Sequence, residues 1–125
     1  MTALPPYAEL LGLTVEQGDG APILLMPFGD RVLGRPGFLH GGAIGGLLEM
    51  AAIVALRHAL ADDGVAIKPM NLSIDYMRGG RELTTRAQGV VRRLGKRIAN
   101  VETSAWQDDR EAPIATSRHI FLLKR

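Results

Sequence analysis

The sequence contains no cysteine in its 125 residues, which excludes a disulfide framework, a thiolate nucleophile and a thiolate metal site. Aromatic residues are also scarce, at 5% of the chain. Those near its most basic stretch are Tyr76 and Trp106, too few for the stacking platform of a single-strand nucleic-acid binder. We therefore expect a protein that neither binds nucleic acid nor uses cysteine chemistry.

Signals for export and motifs for metals or cofactors are missing as well. The start, MTALPPYAELLG, has no basic residue and no apolar run before a small-residue cleavage site, so we expect a cytoplasmic protein. His40, His58 and His119 are far apart and form no ligand pair at helical spacing. No dinucleotide fingerprint, P-loop or nucleophile elbow occurs. We expect neither a bound metal nor a cofactor.

The composition is that of a single globular domain over residues 1–125, with 46% hydrophobic residues. The formal net charge is +2, but the segment from Arg78 to Arg97 holds seven basic residues and one acidic residue, Glu82. This segment therefore carries +6 and the remainder −4. Such asymmetry favours a local anionic partner, although a solvated edge strand protected by its charges has the same composition.

The stretch from Gly34 to Leu60, GRPGFLHGGAIGGLLEMAAIVALRHAL, predicts one long buried helix after a turn rich in glycine and proline. Its apolar run from Gly41 to Leu56 is shorter than the roughly 20 residues that cross a bilayer, and it contains Glu49, so we expect no membrane span. The neighbours of Glu49 at helical spacing are Gly45, Gly46, Ala52 and Ile53. None of them can pair with a charge. Glu49 is either a functional carboxylate or one that binds a facing strand.

The remaining segments predict short elements joined by turns. A short helix begins at Pro5-Pro6 and ends at Gly12, and Asp62-Asp63-Gly64 ends the long helix. The predicted strands are Thr14 to Glu16, Ala21 to Pro27, Val65 to Met77, Leu83 to Leu94, Arg97 to Gln107 and Ile114 to Leu123. This order indicates an α+β fold with an antiparallel sheet against the helix. The unpaired edge of the strand from Ile67 to Met77 predicts an obligate dimer.

Three segments together cover nearly the whole chain and are similar to one enzyme family. They are PYAELLGLTVEQGDG, GFLHGGAIGGLLEMA and MNLSIDYMRGGRELTTRAQGVVRRLGKRIANVE. The chain resembles the hotdog-fold thioesterases, specifically the PaaI-like and 4-hydroxybenzoyl-CoA thioesterase group. In that group an acidic helix residue follows the histidine of an HGG motif by nine positions, the spacing of His40 and Glu49.

The resemblance implies an antiparallel sheet wrapped around one long central helix, homodimers that pair their sheets edge to edge, and assembly as a dimer of dimers. It also implies hydrolysis of a small or aromatic acyl-CoA thioester to free acid and CoA at the subunit interface. Glu49 then matches the nucleophile or general base. The N–H of Gly41 matches the group that polarises the thioester carbonyl. Gly42 and His40 adjoin it, and His40 either touches substrate or only caps the helix.

The resemblance also implies positions for binding. The end of the site that binds the acyl group matches Gly34, Ile53 and Pro69. At the first of these positions family members carry Asn or Gln, at the second Thr and at the third Ser. The turn for the CoA nucleotide matches Arg93, Leu94, Gly95, Lys96, Arg97 and Ile98, with Tyr76 nearby. These residues are expected to contact CoA phosphates or adenine.

Two alternatives share these residues. A hotdog dehydratase or hydratase acting on acyl thioesters would also use a helix carboxylate, with its catalytic histidine on a separate segment. A non-catalytic acyl-CoA binding module would explain the loss of polar groups at Gly34, Ile53 and Pro69. Only the thioesterase would release free CoA from an acyl-CoA.

Overall fold

The computed structural model describes residues 4–61 and 64–125, and it contains two helices, one 3-10 turn and six strands within those ranges. The elements are α1 Pro6–Leu10, β1 Thr14–Glu16, β2 Ile23–Met26, the 3-10 turn Asp30–Val32, α2 Gly41–Leu60, β3 Ala66–Tyr76, β4 Thr85–Leu94, β5 Ile98–Trp106 and β6 Ala115–Lys124. The predicted helices and strands are therefore present. The predicted helix stop at Asp62 and Asp63 lies outside the described residues.

The six strands form one antiparallel sheet in the order β1-β2-β4-β5-β6-β3. Burial alternates along β6 and along β5 up to Ala105, so that Val101 and Phe121 are buried whereas Glu102 and Arg118 are exposed. The buried face packs against α2, and the sheet wraps around this helix. This architecture is the hotdog fold, and the α+β prediction is confirmed.

The central helix lies very close to the middle of the sheet. A methyl group placed on Gly89 of β4 would lie 2.7 Å from the Cβ atom of Ala55, so only a glycine permits this approach. Leu47, Leu48 and Leu56 are completely buried between helix and sheet. Burial of each such side chain stabilises the fold by about 1.5–3 kcal/mol.

The helix α2 is long and apolar enough to span a bilayer, with 20 residues, so the sequence argument from length was wrong. However, 67% of its most apolar window is buried inside the protein. A core helix passes the same length and composition test because it too is apolar on most sides. The burial therefore favours a core helix.

The strand β3 lies at one edge of the sheet and pairs only with β6 within the part of the chain that the structure describes. Its register shifts between Pro69 and Asn71, which is typical of a bulge in an edge strand. Large apolar side chains on and beside this strand are exposed: Met70, Leu72, Tyr76 and Met77. The predicted free edge is therefore present, and it is apolar.

Candidate functional site

The HGG segment forms the start of α2, and His40 is its N-cap residue. The Nδ1 atom of His40 accepts a hydrogen bond of 2.9 Å from the backbone N–H of Gly42, and its own backbone N–H donates to the carbonyl of Val32 at 2.8 Å. Capping of this kind satisfies one of the free donors of a first helical turn. His40 therefore caps the helix, which is one of the two roles that were expected for it.

The backbone N–H of Gly41 donates to no acceptor within residues 4–61 and 64–125. It lies at the positive end of a 20-residue helix, where a free N–H attracts an oxygen that carries negative charge. On the opposite side of the residue, the hydroxyl of Tyr76 donates a hydrogen bond of 2.9 Å to the Gly41 carbonyl. Gly41 is thus held in place by its carbonyl while its N–H stays available.

Glu49 lies two turns further along α2 and is half-buried. It forms no hydrogen bond and no ion pair with the described residues, so the alternative of a carboxylate bound by a facing strand has no support there. Helical side chains lean toward the N-terminus and cover the preceding turn. The side chain of Glu49 is therefore directed toward the preceding turn, which contains Gly45 and Gly46.

The structure gives Gly34 a packing role. Its N–H donates to the carbonyl of Phe38 at 2.9 Å, and a methyl group placed on it would lie 3.0 Å from the Cα atom of His40. Because that neighbour is backbone, a longer side chain would need the loop to move. Glycine at this position therefore fits a tight turn that holds His40 against the preceding loop.

The other two predicted acyl-site positions are apolar in different ways. Ile53 follows Glu49 by one helical turn and is partly buried against both clusters of core residues. Pro69 is exposed on β3, pairs with Phe121 of β6 and adjoins the bulge. Neither side chain offers a hydrogen bond to a ligand.

The basic hairpin, defined as residues 93–98, joins β4 to β5 and is exposed except at Gly95. The N–H of Gly95 donates to the carbonyl of Ile98 at 2.9 Å, which closes the turn. Arg93, Lys96 and Arg97 form no ion pair with any described carboxylate. Three uncompensated cations therefore lie close together on a short turn.

The basic hairpin and Tyr76 lie at opposite ends of the sheet in one chain. Tyr76 is aligned with Ala115 of β6, whereas Ile98 is aligned with Leu122. Seven residues of strand separate these positions, a distance of about 23 Å. Within one chain the expectation that Tyr76 lies near the hairpin is therefore wrong, because the strand register directs it to the start of α2.

A buried polar cluster was not predicted from the sequence. The Nε2 atom of His119 is 2.7 Å from the hydroxyl of Ser117, which also contacts the hydroxyl of Thr103. Burial lowers the pKa of His119 to about 4, so the imidazole is neutral at pH 7. The alternation of β5 and β6 was the available signal, since it directs all three side chains to the inner face.

Two further features gave no sequence signal. The ring of Phe38 lies between the guanidinium groups of Arg35 and Arg81, at 4.3 and 4.5 Å from its centroid. The ring of Tyr7 on α1 lies against Gly46.

Among the described residues, no group of three histidine, aspartate or glutamate side chains could hold a metal ion.

Known proteins share this architecture. A protein from Chromobacterium violaceum has 39% identity, with 96% of this chain and 84% of that chain covered and a TM-score of 0.79. A phenylacetic acid degradation-related protein from Ralstonia eutropha has 22% identity, coverage of 97% and 92% and a TM-score of 0.83. A Bacillus halodurans protein, whose structure contains CoA, has 23% identity, coverage of 97% and 80% and a TM-score of 0.81.

No curated protein is significantly similar to the chain in sequence. The profile of the thioesterase superfamily matches residues 36–114, which include α2 and the strands β3, β4 and β5. This segment contains the free N–H of Gly41 and the carboxylate of Glu49. With a match over more than half of its length, this chain belongs to the thioesterase superfamily and is a thioester hydrolase.

Proposed function

We propose that this protein is a cytoplasmic acyl-CoA thioesterase that hydrolyses a small or aromatic acyl-CoA to free acid and CoA without a metal or other cofactor. Glu49 acts as the nucleophile or as the general base for water. The N–H of Gly41 stabilises the oxyanion. The observation that carries this proposal is the presence, on one helix, of a donor at its positive end and of a carboxylate, neither of which has a partner in the described chain.

The spacing of these two groups favours an active site shared by two subunits. Gly41 and Glu49 are eight residues apart, which is about 12 Å along the helix axis. A carbonyl oxygen held by Gly41 lies about 3 Å from its N–H, and the attacking atom must reach the adjoining carbon. The Glu49 of the same chain is too far away to attack. We propose that a second copy supplies the carboxylate.

The edge strand β3 supports this dimer. Its outer edge has no partner among the described residues and carries exposed apolar side chains, including Met70 and Leu72. Two copies that pair antiparallel along β3 would hide both edges around a two-fold axis. The Tyr76 end of one strand would then lie beside the opposite end of the partner's strand, and so approach the partner's basic hairpin.

The basic hairpin is the proposed site for the CoA nucleotide. Its three cations have no carboxylate partner in the described chain, and charged donors bind phosphate strongly. The CoA in the Bacillus halodurans relative supports CoA as the ligand of this fold.

Release of free thiol from a panel of acyl-CoAs tests the reaction. We expect CoA release with at least one small or aromatic member, such as benzoyl-CoA. Binding without thiol release would favour the non-catalytic module, and conversion of the acyl group with CoA still attached would favour the dehydratase or hydratase.

Complementation between two variants tests the shared site. Gly41→Pro removes the donor, and proline is tolerated at the first helical position, especially because His40 already has an extended conformation. Glu49→Gln removes the carboxylate charge. In a mixed dimer with one copy of each variant, one site keeps both wild-type groups if the site is shared. We expect each variant alone to be nearly inactive and a refolded mixture to recover activity, whereas a mixture without recovery would contradict the shared site.

A further inference from the structure

The outer face of the sheet, which is turned away from α2, contains a polar depression. Val101 and Phe121 are directed toward the helix, and their neighbours on β5 and β6 are directed outward. The depression on this outer face has a volume of about 490 Å³, within the range of small-molecule sites. The outer depression is defined by six of the residues that line it, which are Asn71, Ser73, Arg93, Asn100, Arg118 and Ile120.

Strand register brings these side chains together. Ile120 of β6 is aligned with Asn71 of β3 on one side and with Asn100 of β5 on the other. Arg93 of β4 continues this row, because it is aligned with Asn100. Arg118 is two residues before Ile120 on β6 and therefore lies on the same face. The outer depression thus has an apolar floor at Ile120, an amide on each side of it and two guanidinium groups at its margin.

Positive charge is in excess at the outer depression. The charged residues that line it are three cations and one carboxylate, a formal charge of +2: Arg92, Arg93, Arg118 and Glu102. Glu102 is already bound to Arg92 at 2.7 Å. Arg93 and Arg118 form no ion pair with any carboxylate in residues 4–61 and 64–125. Two cations therefore adjoin one depression without an anion to balance them, which makes the local potential positive.

The uncharged polar side chains of the outer depression are available as well. Asn71, Ser73 and Asn100 form no side-chain hydrogen bond with the described part of the chain. By contrast, Gln88 on the same face of the sheet donates to the carbonyl of Ala21 at 2.6 Å. Amide and hydroxyl groups both donate and accept hydrogen bonds. The two free cations are therefore accompanied by neutral groups that can bind the polar edges of a ligand.

We propose that the outer depression binds a phosphorylated small molecule. Arg118 donates to the phosphate, and Arg93 adds to the attraction, because guanidinium groups bind phosphate strongly and with defined geometry. The uncharged part of the ligand lies over Ile120. Asn71 and Asn100 bind its polar edges. A nucleoside monophosphate has both of these parts and is the simplest probe of the site.

This site is separate from the groups proposed to react. Gly41 and Glu49 belong to α2, which packs on the opposite face of the sheet. Pairing of two copies along β3 would extend the sheet and leave its outer face open, since side chains project roughly perpendicular to a sheet. The outer depression shares Arg93 with the basic hairpin, so the nucleotide end of CoA and a free nucleotide are two sources of the same chemistry. The inference itself does not depend on thioester hydrolysis.

An NMR titration of the full chain with AMP, at one low ionic strength, tests the site. We expect wild type to bind AMP and Arg118→Gln to bind it at least tenfold more weakly, because a charged hydrogen bond is lost. Asn100→Asp keeps the shape of the side chain and adds a negative charge, so it should also weaken binding at least tenfold. Arg31→Gln removes an exposed cation on the 3-10 turn and should keep the wild-type affinity.

Three results of this titration would overturn the inference. The first is that wild type does not bind AMP. The second is that Arg118→Gln binds AMP as tightly as wild type does. The third is that Arg31→Gln weakens AMP as much as Arg118→Gln does, since the effect would then reflect the net charge of the protein and not this depression.

Inorganic phosphate and adenosine test the two parts of the ligand. We expect each to bind wild type more weakly than AMP, because each lacks one half of the contacts. Ile120→Thr keeps a β-branched residue in the strand but makes the floor polar, so it should weaken AMP more than inorganic phosphate. Equal affinity of wild type for AMP and inorganic phosphate would contradict the proposed floor over Ile120.

Competition with free CoA distinguishes the two sources of the phosphate. If the site holds the nucleotide end of CoA, CoA displaces AMP, and Arg118→Gln weakens both ligands. If the site holds a separate nucleotide, AMP binds equally well in the presence of saturating CoA. Either result supports the site and names its source. Neither measurement requires hydrolysis, so loss of AMP binding in an enzyme that releases thiol, or AMP binding in a protein that releases none, separates the fate of this inference from that of the proposed reaction.

Discussion

The hydroxyl of Tyr76 donates a 2.9 Å hydrogen bond to the carbonyl of Gly41, and this bond joins the end of β3 to the first turn of α2. The two residues are 35 positions apart in the chain. A methyl group on Gly41 would still lie 3.7 Å from the tyrosine ring, an ordinary contact. The bond therefore links the proposed dimer edge directly to the residue that carries the proposed oxyanion donor.

Tyr76→Phe removes this hydrogen bond and keeps the ring. We expect kcat to fall by roughly three- to tenfold, because the N–H of Gly41 loses precise placement, and stability to fall by about 1 kcal/mol. Steady-state kinetics and urea unfolding measure the two effects. If Tyr76 instead acted mainly as a nucleotide contact, KM for acyl-CoA would rise while kcat stayed at the wild-type value.

The elements themselves could be predicted from local patterns. The apolar run after Gly41-Gly42 predicted α2, and the alternation from Arg97 onward predicted β5 and β6. These patterns reflect periodic burial, which depends on nearby residues in the chain. The residue that a side chain contacts cannot be predicted from such patterns, because it depends on strand register and helix placement.

Register is the reason that the Tyr76 prediction failed within one chain. The sequence contains no feature that aligns Tyr76 with Ala115 and thereby separates it from the hairpin. Likewise, the sequence showed only that Gly34 replaces the Asn or Gln that family members often carry at this position. Its contact with the backbone of His40 is a consequence of the folded loop and is invisible in the linear sequence.

Glu49→Gln keeps the shape of the side chain and removes its charge. We expect kcat to fall by roughly 10²- to 10⁴-fold if Glu49 is a general base, and further if it is the nucleophile. The variant should keep its oligomeric state and its affinity for a CoA thioester, measured by sedimentation and calorimetry. Glu9→Gln is the control, because Glu9 is an exposed carboxylate on α1. Near wild-type turnover by Glu49→Gln would make Glu49 structural.

Replacement of Lys96 and Arg97 with alanine tests the basic hairpin. We expect KM for acyl-CoA to rise more than kcat falls, because phosphate contacts lie far from the reacting carbonyl. The effect should shrink as salt increases, since exposed charges are screened. Arg31→Ala, which removes an exposed cation elsewhere, is the control. An unchanged KM would instead assign the charges to protection of a solvated turn.

The buried His119 predicts a dependence of stability on pH. Its pKa of about 4 in the folded protein is below the value of 6.5 for a free imidazole, because burial disfavours the charged ring. Between these two values the unfolded chain binds more protons than the folded chain, so stability rises with pH through this window. The stability that neutral His119 contributes is fully present above about pH 6.5 and is lost as pH falls toward 4. The total loss in the free energy of unfolding is about 3 kcal/mol.

His119→Gln removes the titrating group and leaves an amide that can still bond with the hydroxyl of Ser117. Urea unfolding at about pH 4.5, 5.5 and 7, at one fixed protein concentration, gives the free energy of unfolding of both proteins. Carboxylates contribute to the acid sensitivity of both, so the difference between the two slopes isolates His119. We expect the variant to lose less stability than wild type on acidification. Parallel slopes would mean that His119 titrates equally in the folded and unfolded states, and that the cluster with Thr103 and Ser117 opens to water.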